Sequence, residues 1–333
     1  MVGLLFLTLA SGHAFTALYV FGDSLSDTGR NPAPAPEYYN GRYSNGPLWV
    51  EYLSAELGIP YNANNNFAVS GSTTSDLAGE ITGLTASTNL STSLFTLLSG
   101  GNDFLQNATV GVNEAFWSDL VQTAVFNLTN AADLLYAYGA REVVIPNQVS
   151  VGETPAFLGT PIGYPQYIDS KVALFNAKLG AALVSVAQRD PGLRIYALDF
   201  NTAFNQFLGS PAAYGFTVVT NGALEDPNLV DKSYTGPGAD YVFWDVIHPT
   251  TKAHALTAAL ALQFVNVQVS VVPSSDSFTL TASHLYPGLA YTIQTSPDLV
   301  TWSNYETITA VSTNATLAYP GNGTNSVFFR VQY

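Results

Sequence analysis

Cysteine is absent from the 333 residues. That removes disulfide frameworks, thiolate nucleophiles, iron–sulfur clusters and cysteine zinc sites, and leaves the compartment open. Positive charge is scarce: 10 Lys and Arg stand against 24 Asp and Glu, a formal net charge of −14. Gripping a phosphate backbone needs a basic face, so no nucleic-acid partner is expected. Only 10% of residues are charged. The surface is therefore expected to be polar through Asn, Ser, Thr and Tyr, which suits an exported protein. No apolar run beyond the N-terminus reaches the roughly 18 residues of a membrane helix. Gly-X-Ser-X-Gly, P-loop, His-Glu-X-X-His and Gly-X-Gly-X-X-Gly patterns are missing. His248 and His254 are spaced wrongly for one helical metal face, and no metal or other cofactor is called for. Apolar mass is plentiful at 47% hydrophobic, 13% aromatic. That excludes wholesale disorder, and the length suits one large domain or a medium domain with a small companion.

Met1 to Ala17 reads MVGLLFLTLASGHAFTA. An apolar run too short to span a bilayer is followed by small residues at Gly12-His13-Ala14 and Ala17, candidate cleavage points, although no Lys or Arg precedes the run. Residues 1–17 are therefore read as a signal peptide and the protein as secreted or extracytoplasmic. Asn-X-Ser/Thr sequons at Asn89, Asn107, Asn127, Asn314 and Asn322 are what this composition produces by chance.

From residue 18 to 267 short apolar runs alternate with longer amphipathic ones. Leu18 to Phe21, Phe67 to Val69, Leu94 to Leu98, Glu142 to Ile145 and Leu193 to Leu198 read as buried strands, most of them stopped by glycine or proline. Pro47 to Leu57, Asn113 to Tyr138, Tyr167 to Gln188 and Thr250 to Phe264 read as helices, the second closed by Gly139. This alternation predicts an α/β domain with a mainly parallel sheet covered on both faces. After about residue 268 apolar residues alternate singly: Phe278 and Leu280, Tyr291 and Ile293, then Val327, Phe329 and Val331. A small all-β module at 270–333 is expected, with Val271 to Ser275 as its linker.

In an open parallel sheet the carboxyl ends of the strands line the site crevice. Gly22-Asp23-Ser24, Ser70-Gly71 and Gly100-Gly101-Asn102-Asp103 should meet there, joined by Asp245-Val246-Ile247-His248-Pro249. Acyl transfer needs a hydroxyl, a base, a group that orients the base, and donors for the oxyanion. Ser24 can supply the hydroxyl and His248 the base. Pro249 keeps His248 out of helical backbone angles. Asp245 lies close enough to orient the imidazole. The N–H groups of Ser24 and Gly71 and the Asn102 amide can serve as oxyanion donors. Asp23 and Asp103 are read as ordering their loops, and His254 as a surface residue.

The segment Phe21-Gly22-Asp23-Ser24-Leu25-Ser26-Asp27 resembles the first block of the GDSL (SGNH) hydrolases. Asn66 to Gly71, Gly100 to Asp103 and Phe243 to Thr250 are similar to the later blocks, in family order. Gly41-Arg42-Tyr43-Ser44-Asn45-Gly46-Pro47 resembles a stretch of the branch that holds secreted lipases, phospholipases, lecithinases and thermolabile haemolysins. The resemblance covers about residues 18–265. It implies a flavodoxin-like three-layer α/β/α fold and metal-independent hydrolysis of an ester: lipid, phospholipid or acetylated carbohydrate. Arg30 stands where related sequences often carry Asn, and the β module lies outside the family's catalytic part. Arg42 either holds a loop beside the pocket or touches substrate. Tyr38 and Tyr39 either line an acyl groove or are ordinary surface aromatics. Two other functions stay open on the residues alone: a binding or adhesion protein working through the β module, and an acyltransferase with the same site.

Overall fold

The computed structural model describes residues 15–84, 90–265, 268–273, 277–283, 285, 290–296, 301–312, 314–320 and 328–332. Of the signal segment read above, residues 1–14 lie outside this set, as do Asn89, His284, Asn322 and Val327. Two compact units emerge, Phe15–Ala259 and the residues from Leu260 onward.

In the first unit β1 (Leu18–Gly22), β2 (Leu94–Leu98), β3 (Glu142–Pro146) and β4 (Arg194–Leu198) form a parallel sheet in that order. Both faces of the inner strands are buried, which is why these strands read as continuous apolar runs. Phe21, Phe95, Leu97, Val143 and Ile145 join one cluster with the helices α2 (Leu77–Thr82), α3 (Gly101–Leu105), α4 (Glu114–Tyr138) and α5 (Tyr164–Arg189). The intervening Val20, Leu94, Leu98 and Val144 are equally buried outside that cluster. Opposite lie residues of α1 (Trp49–Glu56), α6 (Phe200–Gly209) and α7 (Thr251–Val265), with a parallel strand pair, β5 (Val218–Gly222) and β6 (Tyr241–Phe243). Phe204 and Phe207 of α6 pack with Val242 and Phe243 of β6 and Ala253 of α7.

Phe67 to Val69, expected as a regular strand, is not one. The segment runs beside β1 as a loop: the Phe67 N–H donates to the Val20 carbonyl at 2.7 Å and the Val69 N–H to the Gly22 carbonyl at 2.8 Å. Counting it as an irregular edge gives the 2-1-3-4-5 order of flavodoxin-like folds, whose crevice opens between the first and third strands. Here that is the end of β1 and β2, where Ser24 and Asn102 follow.

Local signals account for most helix ends. The Asn113 side chain accepts from the Phe116 N–H at 3.1 Å to start α4, and Gly139, at φ +109°, closes it. Helix α5 begins at Tyr164, earlier than expected, with Pro165 in its first turn. By length and composition alone α5 could cross a membrane. Its Ile168, Val172, Phe175, Leu179, Leu183 and Val186 are buried at helical spacing in the cluster shared with α4.

In the second unit two antiparallel sheets form. One holds β10 (Ser303–Thr309), β9 (Ala290–Ser296) and β12 (Phe328–Gln332); the other holds β11 (Asn314–Pro320), β8 (Ser277–Ser283) and β7 (Gln268–Pro273). Leu280 of one sheet packs with Ile293 and Phe329 of the other. Val271 to Pro273, expected in a linker, instead pair with β8 as the end of β7.

Candidate active site

Gly22 ends β1 at φ +133°, and a Cβ there would stand 1.9 Å from the Leu98 carbonyl oxygen. Only glycine lets β1 and β2 approach so closely at the point where the chain turns. Past it, the Asp23 carbonyl accepts from the N–H groups of Ser26 and Asp27, both at 3.0 Å, and the Asp23 Oδ1 accepts from the Leu25 N–H at 3.0 Å. Ser24 sits on this tight turn, 8% exposed.

A second loop brings the imidazole. After β6 the chain doubles back: the Trp244 N–H donates to the His248 carbonyl at 2.7 Å and the Thr250 N–H to the Val242 carbonyl at 2.9 Å. Asp245 and His248 hang from this hairpin. The Asp245 Oδ1 accepts from the N–H groups of Ile247 (2.9 Å) and His248 (2.7 Å). Its Oδ2 lies 2.7 Å from the His248 Nδ1, and the His248 Nε2 lies 2.8 Å from the Ser24 Oγ. A carboxylate only accepts, so Nδ1 carries the ring proton in the neutral imidazole and Nε2 is free to accept from the serine hydroxyl. Burial alone would raise the Asp245 carboxyl. The hydrogen bond and charge of His248 and the two backbone donors outweigh it and hold the group below its ordinary range.

Ser24, His248 and Asn102 line one small pocket of about 40 Å³. The Asn102 Nδ2 donates to the Ser72 carbonyl at 2.9 Å, which uses one of its two protons and fixes the amide. Gly71 is not part of that lining. It adopts φ +91°, its carbonyl accepts from the Gln106 Nε2 at 2.7 Å, and its N–H meets no acceptor among the described residues. Asp103 orders its loop as expected, accepting from the Thr74 N–H (2.9 Å) and hydroxyl (2.7 Å).

Asp27 joins the first two motif segments. Fully buried, it accepts from the N–H groups of Gly29, Arg30, Asn31 and Ser70 and from the Ser70 hydroxyl, at 2.7–2.9 Å. Arg30, the unusual residue of that turn, donates through Nε to the Asn66 carbonyl and lies over the Phe67 ring. Its neighbour Asn31 reaches the Ser70 carbonyl at 2.8 Å.

Of the loop residues, Arg42 takes a role the sequence offered and Tyr38 one that it did not. Arg42 takes the loop-holding alternative, pairing with Glu51 of α1 at 2.8 Å and with the Asn40 carbonyl. Tyr39 packs edge-on against Tyr234. Tyr38 donates its hydroxyl to the Asp245 Oδ2 at 2.8 Å, and Tyr43 packs on the His248 ring at 4.8 Å. Neither contact was anticipated; the only signal was position, since Tyr38 precedes the Gly41–Pro47 stretch and Tyr43 lies within it. His254, expected at the surface, is 2% exposed. Its helix is apolar around most of its girth, so the sequence did not mark the inward face. Glu80 of α2 was also missed. Its Oε2 accepts from the Gly22 N–H at 2.8 Å, directly behind the serine turn. Burial pushes Glu80 up to about 7 and Asp23 up to about 6, in each case against its own hydrogen bonds.

A hydroxyl, an imidazole and a carboxylate in one hydrogen-bonded line, at the carboxyl ends of a parallel sheet, is an arrangement suited to acyl transfer. Comparison with known proteins gives the same class. The GDSL-like lipase/acylhydrolase family matches residues 18–261, and the chain belongs to this family of ester hydrolases. It is similar to the thermolabile hemolysin of Vibrio parahaemolyticus, 30% identical over 278 residues that cover 74% of this chain and 62% of that one. It is 25% identical to a phosphatidylcholine-sterol acyltransferase of Aeromonas hydrophila (80% and 96% covered) and 26% identical to an esterase of Pseudomonas aeruginosa (82% and 50%). The chain thus spans less than two thirds of the hemolysin and half of the esterase. Among solved structures, an acetylxylan esterase from Geobacillus stearothermophilus matches with a TM-score of 0.42 at 18% identity, over 78% of this chain and 96% of that one.

Proposed function

We propose that the protein hydrolyses carboxylic esters with Ser24 as nucleophile, His248 as general base and acid, and Asp245 as the residue that orients and stabilises the imidazole. The carrying observation is the line from the Ser24 Oγ through His248 to Asp245, 2.8 and 2.7 Å long. The Ser24 Oγ attacks the ester carbonyl carbon while its proton passes to the His248 Nε2. The carbonyl oxygen becomes an oxyanion, held by the Ser24 N–H, the Gly71 N–H and the second proton of the Asn102 amide. Collapse breaks the bond to the alcohol, which leaves with the proton from Nε2, and an acyl-enzyme remains. Water then loses a proton to Nε2 and attacks the acyl carbon, and the serine leaves with that proton as the acid departs. The substrate class is a lipid, phospholipid or acetylated-sugar ester. The Aeromonas relative, matched over 96% of its length, supports a second reading in which an alcohol replaces water in the last step.

A fluorophosphonate probe tests the nucleophile. It is expected to form one covalent adduct, mapped to the peptide that contains Ser24. A folded protein that never labels, or that labels at another serine, contradicts the proposal.

A further inference from the structure

Behind the Ser24 pocket lies a second cavity of about 70 Å³, walled by α1, α6, α7 and the end of β2. Leu25, Val149, Thr154 and Ile247 line both spaces, so the two share a wall, and Leu25 is the residue next to Ser24. Protein interiors are close-packed and keep few voids larger than a water molecule. A void of this size beside a reactive hydroxyl therefore calls for an occupant.

Its chemistry narrows the choice. The lining is almost wholly aliphatic and aromatic, and its polar side chains are mostly satisfied internally. Thr154 donates to the Val151 carbonyl at 2.7 Å, Thr257 to the Ala253 carbonyl at 2.9 Å, and the Trp49 Nε1 to the Ser26 Oγ at 3.1 Å. His254 is the exception, with a buried Nε2 that meets no partner among the described residues. Burial, then the charge of His248, pushes His254 down to about 3, so the cavity holds no charge near neutral pH. An uncharged, apolar space cannot take a sugar or a phosphate without leaving its polar groups unpaired. It can take a hydrocarbon chain.

Resting on the proposed hydrolysis at Ser24, we propose that this cavity receives the acyl tail of the substrate, and that the preferred acid is a medium chain of about eight carbons rather than acetate. At roughly 10–15 Å³ per water-sized occupant, the space holds about five to seven chain carbons. The carbonyl and the carbons next to it stay in the Ser24 pocket. The chain enters past Leu25 and Ile247 and ends near His254.

Two measurements test this. The first compares kcat/KM for p-nitrophenyl octanoate and acetate in the wild type and in Ala203→Leu and Thr257→Leu, which fill the cavity from α6 and α7 separately. The octanoate-to-acetate ratio is expected to exceed tenfold in the wild type and to fall at least tenfold in each variant, with acetate turnover within about twofold, because each excluded methylene carries a large share of the discrimination. The second needs neither catalysis nor a filled core: sodium octanoate, but not acetate, is expected to bind Ser24→Ala protein and raise its melting temperature. Equal use of both esters with no octanoate binding overturns the inference and leaves the hydrolase reading standing. Octanoate binding in a protein that cleaves no ester does the reverse. A ratio unchanged in both folded variants also overturns it.

Discussion

On one side of Ser24 the Asp245 carboxylate receives four donors: the Tyr38 hydroxyl, the His248 Nδ1 and two backbone N–H groups. On the other side Glu80 receives the Gly22 N–H and the Ser72 hydroxyl, while its Oε1 is buried and meets no partner among the described residues. Both are carboxyl groups withdrawn from water. The first is held below its ordinary range and stays charged; the second is pushed up to about 7. Donor supply, more than burial, decides which carboxyl group can serve as a permanent negative charge. Asp245 can therefore stabilise an imidazolium at any working pH, whereas Glu80 acts as a partly neutral brace behind the serine turn.

Breaking the Asp245 side should have the largest effect. Asp245→Asn keeps the shape but offers His248 an amide that can donate, which favours the wrong ring tautomer. A loss in kcat of about 10⁴ is expected in steady-state assays near neutral pH. A loss under tenfold would show that the imidazole does not depend on that carboxylate.

Removing one donor should be gentler. Tyr38→Phe takes away a hydrogen bond to a charged group, a change of about 1.5–3 kcal/mol, so a loss in kcat of about ten- to a hundredfold is expected. Because Asp245 then carries more unneutralised charge, imidazolium is favoured and the acid limb of the kcat/KM profile should move to higher pH. A purely structural role for Tyr38 would lower activity without moving that limb.

On the other side the expected effect is on stability. Glu80 has a folded value near 7 against an ordinary 4.5, and Asp23 one near 6 against 3.8. Both hold more protons folded than unfolded across those windows. Their contribution is fully present below the ordinary values and is lost as pH rises through 6 and 7. Asp103, Asp76 and His248 face the same cluster. Glu80→Gln should flatten the decline of melting temperature between pH 5 and 8, with activity changed only slightly. An unaltered slope would mean that Glu80 is already charged.

Much of this arrangement was readable beforehand, for reasons that differ by residue. Ser24, Asn102, Asp245 and His248 follow strands or precede a helix in short motifs, and strand ends of a parallel sheet converge, so their proximity could be inferred. Tyr38 is different: its contact with Asp245 spans 207 positions and depends on how an irregular proline-rich loop folds, which no periodicity encodes. Arg42 carried two readings because a loop arginine near a pocket can serve either, and only the position of Glu51 chose between them. His254 was misplaced because α7 carries apolar residues on most of its faces. Phe67 to Val69 had strand chemistry but lies on an edge, where two hydrogen bonds sufficed and a regular ladder did not form. The β module was legible as strands from its alternation, while the shared packing of Leu280, Ile293 and Phe329 across two sheets was not.

The most direct test of the central claim is the rate of p-nitrophenyl butyrate cleavage by Ser24→Ala beside the wild type, both checked for folding. A fall in turnover on the order of 10⁴–10⁶ is expected, since without the Ser24 Oγ no acyl-enzyme can form. Cleavage at the wild-type rate would contradict it.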